Sequence, residues 1–254
     1  MSFATYPSLN GRVVFVTGGA SGIGADIVTA FARNGACVAF VDVLEKAGAA
    51  LAAAIAADGG RALFLACDVV DIAALQAAIT LAGERLGSIG VLVNNAANDQ
   101  RVAVEDVTVE SWDQAQNVNL RHHFFAAQAV RPQMKQLGFG SIINLSSIAW
   151  RFGAGEMAPY GAAKAAIVGL TRALARSFGP DNIRVNAIEP GAVMTQRQRE
   201  LWYKTEASVD AMVQRQLIRQ VLLGEEIANA ALFLGADDSR MITKQALAVD
   251  AGLR

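Results

Sequence analysis

Tyr160 and Lys164 stand four residues apart, so on a helix they project from one face, a turn apart. Pro159 immediately before them fits a first-turn position and places Tyr160 near the helix N-terminus. A free tyrosine titrates at about pH 10, too high for a base at neutrality. A lysine ammonium and the positive end of a helix both favour tyrosinate, and lowering the phenol by about three units takes roughly 4 kcal/mol. The same four-residue spacing also occurs on ordinary amphipathic helix surfaces, so its meaning depends on its company. Ser146 and Ser147 close an apolar run just before this helix, and Asn94-Asn95-Ala96-Ala97 closes another. Both would lie at the carboxyl ends of parallel strands, where open α/β sheets bind their ligands.

A second group of residues could hold a dinucleotide. An apolar run leads directly into Thr17-Gly18-Gly19-Ala20-Ser21-Gly22-Ile23-Gly24, and a helical pattern follows. Glycines there allow a tight turn and let a pyrophosphate approach the main chain, while the next helix offers its unpaired N–H groups. Asp42 ends the second apolar run, 24 residues after Gly18, where a carboxylate can accept hydrogen bonds from ribose hydroxyls. It would repel a 2′-phosphate, and neither Ser21 nor any neighbour of Asp42 is basic, so NAD is expected rather than NADP. Asp42 could also cap the helix beginning near Glu45, and the two roles can coexist. Asp68-Val69, at the end of the third run, would lie beside the adenine.

These residues need a scaffold, and the hydropathy pattern supplies one. Apolar runs at 13–17, 37–42, 61–67, 91–94, 141–145, 184–188 and 246–249 alternate with helical patterns at about 22–34, 45–57, 71–86, 110–137, 160–178 and 225–235. Runs continuous in Val, Ile and Leu are expected when helices cover both faces of a parallel sheet. The 254 residues therefore predict one α/β domain: a Rossmann fold with a doubly wound, parallel, seven-stranded sheet. The irregular stretch at 192–220 follows Pro190-Gly191 and predicts a specificity loop containing a helix or two; a surface excursion without a ligand is the alternative.

Composition narrows the function classes. A net charge of −1 offers no basic surface for nucleic acid. No uninterrupted apolar stretch reaches membrane-spanning length, and residues 1–12 do not read as a signal peptide. Cys37 and Cys67 sit in apolar runs and suit reduced core positions in a cytoplasmic protein. With two adjacent histidines, His122 and His123, and no cysteine cluster, no metal site is expected.

Taken together, the motifs resemble the short-chain dehydrogenase/reductase family along nearly the whole chain. The matching pieces are Thr17-Gly18-x-x-x-Gly22-x-Gly24, Asp68, Asn94-Asn95-Ala96, Asn119 in Asn-Val-Asn-Leu, Ser147, Tyr160-x-x-x-Lys164 and Pro190-Gly191-x-x-x-Thr195. Ser147 precedes Tyr160 by 13 residues, the family's spacing, which selects it over Ser146. The resemblance implies Tyr160 as general base, Lys164 holding the nicotinamide ribose and lowering the tyrosine pKa, Ser147 bonding the reacting oxygen and Asn119 positioning a water. It further implies cofactor contacts from Gly18, Ser21, Gly22, Ile23, Gly24, Asp42, Asp68, Val69, Asn95, Ala96, Pro190, Gly191, Val193 and Thr195, the last toward the carboxamide. Ala97 departs from the glycine usual in the family, and Glu189 before Pro190-Gly191 is a second departure. Glu189 either reaches a substrate hydroxyl or caps local backbone.

Within that family, Tyr6-Pro7-Ser8-Leu9, Asn94 to Asp99, Val118 to His122, Trp150 and Val249 to Arg254 resemble bacterial sugar 1-dehydrogenases. The resemblance implies oxidation of a free aldose at C1 to a lactone, with NAD as acceptor. Asn98, Asp99, Arg101, Glu156 and Arg197 could meet hydroxyls and Trp150 could wall the ring, although each also suits an ordinary loop or packing position. A polyol or other secondary alcohol is the alternative substrate, and a non-catalytic NAD-binding protein the alternative of another class. The family implies a homotetramer, and Arg121, His122 and His123 could serve its pairing helix face.

Overall fold

The structure, a computed structural model, describes residues 4–253. Arg254 of the sugar-dehydrogenase-like C-terminal segment lies outside them. In chain order the elements are β1 (Val13–Thr17), α1 (Gly22–Arg33), β2 (Cys37–Asp42), α2 (Glu45–Ala57), β3 (Arg61–Ala66), α3 (Ile72–Leu86) and β4 (Ile89–Asn94). There follow α4 (Val109–Gln116), α5 (His122–Leu137), β5 (Gly140–Leu145), α6 (Ala149–Phe152), α7 (Ala158–Phe178) and β6 (Ile183–Pro190). The chain ends with α8 (Gln196–Leu201), α9 (Glu206–Val213), α10 (Gly224–Gly235) and β7 (Ala246–Val249).

All seven strands run parallel, in the order β3-β2-β1-β4-β5-β6-β7. Alternate strand residues feed two cores. Val14, Val16 and Val38 face α1, α2 and α10, whereas Val13, Phe15 and Ala39 face α3, α5 and α7. Burial on both faces explains why the central strands carry no polar alternation, and the sheet is the doubly wound one expected. Only the edge strands β3 and β7 are half-exposed. The winding reverses between β1 and β4, which opens a crevice at their carboxyl ends.

Several boundaries move from the sequence expectation for local reasons. β3 ends at Ala66, one residue short of the expected Cys67. β4 begins two residues early, at Ile89, whose N–H finds Gln133 Oε1 at 2.9 Å. β6 runs on to Pro190, whose missing N–H is tolerated at a strand end and whose carbonyl accepts from the Ile148 N–H.

The larger correction concerns the expected single helix at 110–137. It is two helices, α4 and α5, joined by a π-helical turn over Asn117–Arg121. Asn119 accounts for the break. Its side-chain Nδ2 donates to the Ala115 carbonyl at 2.9 Å, the acceptor that its own N–H would take in an α-helix. With that carbonyl engaged by a side chain the turn widens, as π segments at functional sites commonly do.

The histidines are a second correction, because they do not lie on a helix face open to a subunit. Both are fully buried. His122 Nε2 lies 3.1 Å from the Ala96 carbonyl, and His123 Nδ1 lies 3.3 Å from Asn144 Oδ1. Asn144 also accepts from Asn94 Nδ2 at 2.9 Å and donates to Thr171 Oγ1 at 3.0 Å, so α5, β4, β5 and α7 share one buried polar network. Burial is the main cause that pushes His122 down to about 3, with the Lys164 ammonium adding to it, and His123 goes well below its usual value for the same reasons.

Both rings therefore stay neutral while the unfolded chain takes up protons below its ordinary histidine pKa of about 6.5. Stability should be intact above pH 6.5 and fall continuously as the pH drops toward 3, with His122 alone contributing a loss of about 2 kcal/mol at pH 5. Urea unfolding at pH 7.5 and pH 5 measures the loss. His122→Gln should shrink the difference between the two pH values; an undiminished difference would exclude His122 as the titrating group.

Candidate active site

The crevice is built first by a knot between β1 and β4. Thr17 Oγ1 accepts from the N–H groups of Asn95 (2.9 Å) and Ala96 (3.1 Å). In return Asn95 Nδ2 donates to the carbonyls of Thr17 (3.1 Å) and Gly18 (2.8 Å). The expected cofactor residue Asn95 thus commits its amide to holding the glycine loop. Two glycines in that loop have no substitute. Gly18 sits at φ +65° with any Cβ 2.7 Å from the Ala96 Cα, and a Cβ on Gly24 would collide with the Gly18 carbonyl oxygen. Loop and helix are pressed together, which leaves the main chain as the surface that a pyrophosphate meets.

The first turn of α1 fits such an anion. Ser21 at its N-cap makes no side-chain capping bond, and no acidic residue stands in that turn. Gly22, at φ +52°, faces the Thr195 methyl, and Ile23 packs against the core beneath. Asp42, half-buried at the end of β2, accepts from the Ala20 N–H and the Leu44 N–H, each at 3.0 Å. These bonds hold the turns beside it, the N-cap of α2 being Leu44 with no side-chain cap, and one bond per oxygen leaves about half of a carboxylate's acceptor sites free. Asp68 is exposed and accepts from the Val70 N–H, while Val69 sends its side chain into the core. On the far wall Pro190 and Val193 are buried, and a Cβ on Gly191 would lie 2.7 Å from the Asp250 Cα. Thr195 caps α8 by accepting from the Gln198 N–H at 3.2 Å.

The chemical residues meet where this crevice opens. Tyr160 stands in the first turn of α7 behind Pro159, as its sequence position implied. Lys164, one turn on, is buried, donates from Nζ to the Leu145 carbonyl at 2.8 Å and lies 5.5 Å from the centre of the Tyr160 ring. The two serines divide their tasks. Ser146 is buried and donates to the Lys164 carbonyl at 2.7 Å, pinning α7 to β5, whereas Ser147 hydrogen-bonds the Tyr160 phenol.

Electrostatics depart from expectation here. Burial pushes the Tyr160 phenol up from its ordinary value, and the Asp99 carboxylate adds to the rise. The Ser147 hydrogen bond works the other way. Burial brings Lys164 down to about 7, opposed by the Asp99 charge. A lysine that holds its proton so weakly at neutrality is a poor source of charge for tuning a phenol, so the expected drop is not produced by the chain's own groups.

Asn119, expected to position a water, and the expected substrate residues are held by partners across the fold. Asn119 holds the loop after β4 by both backbone groups of Asn98, accepting its N–H at 2.8 Å and donating to its carbonyl at 3.1 Å. Glu189, buried at the end of β6, accepts from the Trp150 indole at 2.8 Å and from Arg151 at 2.7 Å. Trp150 is thereby fixed on α6, with Arg151 stacked 4.4 Å from its ring. Glu156 is exposed, and its carbonyl accepts from the Val102 N–H.

The 192–220 segment carries α8 and α9, as its length suggested. Arg197 on α8 reaches Asp99 (3.3 Å) and Asn98 (3.1 Å), and Gln198 donates to the other Asp99 oxygen. Beside them Arg101 stacks 4.0 Å over Trp202. Gln198 and Arg151 were missed by the sequence reading, since nothing in local spacing links them to partners about 100 and 38 positions away. Among the described residues no cluster of histidine, cysteine or acidic side chains could hold a metal ion, and no helix is long and apolar enough to cross a membrane.

Known proteins resemble this chain in sequence and fold. A family model described as enoyl-(acyl carrier protein) reductase matches residues 18–254. A protein named as a probable galactose dehydrogenase from Rhizobium meliloti (strain 1021) is 50% identical over 249 residues, 98% of this chain and 97% of that protein. The D-xylose 1-dehydrogenase of Caulobacter vibrioides is 44% identical over 254 residues and the full length of both chains. Among solved structures, a doubly substituted mutant of a Serratia marcescens short-chain dehydrogenase/reductase superposes with a TM-score of 0.89 at 36% identity, covering 97% of this chain and 99% of its own.

The meeting of Ser147, Tyr160 and Lys164 makes a specific demand on the phenol oxygen. Tyr160→Phe should lower kcat for alcohol oxidation by about 10²–10⁴-fold, the range for loss of a proton acceptor. Dinucleotide affinity, read by fluorescence titration, should stay within a few-fold. Retained turnover would remove Tyr160 from the chemistry.

Proposed function

The chain belongs to the short-chain dehydrogenase/reductase family, and on that premise we propose that it oxidises the C1 hydroxyl of a free aldose to the lactone, with NAD as hydride acceptor. The observation that carries alcohol oxidation is the meeting of Ser147, Tyr160 and Lys164 at the mouth of the β1/β4 crevice. The choice of a sugar is supported by relatives named for galactose and D-xylose that match at least 98% of the chain.

In its oxidised form NAD supplies the hydride acceptor and brings positive charge to the catalytic end. The chain does the rest. The open first turn of α1 and the Gly18–Gly24 loop would hold the pyrophosphate, and Asp42 would take the adenosine ribose. Ser147 donates to the reacting oxygen while Tyr160 removes its proton, so C1–OH becomes C1=O as the C1 hydrogen leaves with its electron pair. Lys164, anchored on the Leu145 carbonyl, would hold the nicotinamide ribose. Trp150, held by Glu189, walls the sugar ring, and the α8–α9 segment covers it. A cyclic hemiacetal is readily oxidised, so alignment of C1 and removal of one proton are the main demands.

NAD over NADP is supported by the charge at Asp42 and by the absence of a basic side chain among its immediate neighbours, Val43 and Leu44 being exposed and apolar. Self-association, a homotetramer in the family's pattern, is supported by a mainly apolar hollow beside α5 and α7, lined by Leu120, Arg121, Phe124, Phe125, Ala166 and Leu170. The free, buried Cys37 and Cys67 suit the reducing cytoplasm.

NADH formation across a panel of aldoses, polyols and secondary alcohols, with NAD and NADP in parallel, tests both parts. Rapid turnover of an aldose with NAD is expected; silence on every aldose with activity on a polyol would discard the sugar and keep the catalytic residues. Asp42→Ala should erode the NAD preference by about 10-fold or more, since hydrogen bonds to a charged group are lost. An unchanged cofactor ratio would count against the ribose contact.

A further inference from the structure

The loop after β4 and the helix α8 are joined across the mouth of the site by one carboxylate. Asp99 accepts from Arg197 on one oxygen and from Gln198 on the other. Its neighbour Asn98 is gripped from below by Asn119 through both backbone groups, and from above by Arg197 at 3.1 Å. The Asp99 side chain is only 17% exposed, although it sits on a loop between two surface segments. Its charge is felt at both catalytic side chains, raising the phenol of Tyr160 and supporting the ammonium of Lys164. Asp99 therefore bridges the lid and the β4 loop within electrostatic reach of the reacting centre, next to a residue whose backbone is held.

A carboxylate has about four acceptor positions, and the two side-chain contacts on Asp99 use two of them. We propose that Asp99 is a specificity-determining residue: its remaining acceptor positions take hydroxyls of the sugar beyond C1, while Arg197 and Gln198 keep the carboxylate in place. The inference rests on the aldose reading and deepens it. Hydrogen bonds from a neutral hydroxyl to a fixed carboxylate are charge-assisted, and an acceptor held in place loses little entropy when the substrate arrives. A site of this kind selects neutral polyhydroxy substrates. An alcohol without a second hydroxyl leaves the partly buried carboxylate under-satisfied, which penalises it. Arg101, stacked on Trp202, extends the same seam without supplying an acceptor.

The test crosses substrate with protein. The aldose turned over fastest in the panel and its single-deoxy analogues are compared in the wild type, Asp99→Asn and Asp99→Ser, with NAD affinity and unfolding midpoint measured first; either variant that folds and binds NAD suffices. In the wild type, at least one deoxy position should cost about 10- to 100-fold in kcat/KM. In the variant the parent sugar should lose a similar factor, and that same deoxy analogue should cost no more than about 3-fold further. If the deoxy penalty persists unchanged in the variant, Asp99 serves only to latch the lid and the inference is overturned. If no aldose is oxidised by the wild type, the aldose reading itself has failed and this inference falls with it.

Discussion

Four hydrogen bonds between Asn95-Ala96 and Thr17-Gly18 span the point where the sheet reverses its winding, and the site depends on them. They draw the ends of β1 and β4 together while the helices that follow each strand leave to opposite faces. A crevice results whose floor is main chain. Asn95 is well suited to the task, since its amide can satisfy two carbonyls that the turn at Gly18 leaves without strand partners. The tight packing of Gly24 on Gly18 then brings the first turn of α1 to the same place.

The chemical half is built around a buried lysine. Removing Lys164 from water is costly, and its single strong contact, the Leu145 carbonyl, compensates only in part, which is why its proton is held so weakly. Ser146 locks the same residue's backbone to β5. This destabilised ammonium sits beside a phenol that burial also disfavours as an anion. The same desolvation disfavours the charged form of both groups, and either responds strongly to charge brought next to it. A site poised in this way suits a reaction in which a cationic nicotinamide ring would arrive and a neutral one would leave.

Around that centre, polar side chains serve chiefly as fasteners. Asn119 widens a helix in order to hold Asn98, and Glu189 spends its charge on Arg151 and Trp150. Asp99 ties the lid to the β4 loop. Each joins elements distant in sequence, and each leaves a loop at the rim with less freedom than its composition suggests. Rigid loops around an open crevice are what alignment of a small substrate requires.

The alternation of apolar runs and helical patterns determined the fold from the sequence alone, because strands buried on both faces permit no polar residues and therefore announce themselves. The glycine loop, Asp42 and the Tyr160–Lys164 pair were legible for a related reason: their chemistry is local, set by spacing within a turn or a few residues. Only the tertiary structure decided the rest. The break at Asn119 depends on a competitor for a helix carbonyl, the role of Glu189 on a tryptophan and an arginine 39 and 38 positions away, and the burial of His122 and His123 on the polar network that receives them. A side chain's partners across the fold are not encoded in its neighbours along the chain. The direction in which Tyr160 and Lys164 titrate was likewise settled by burial, which no residue spacing reports.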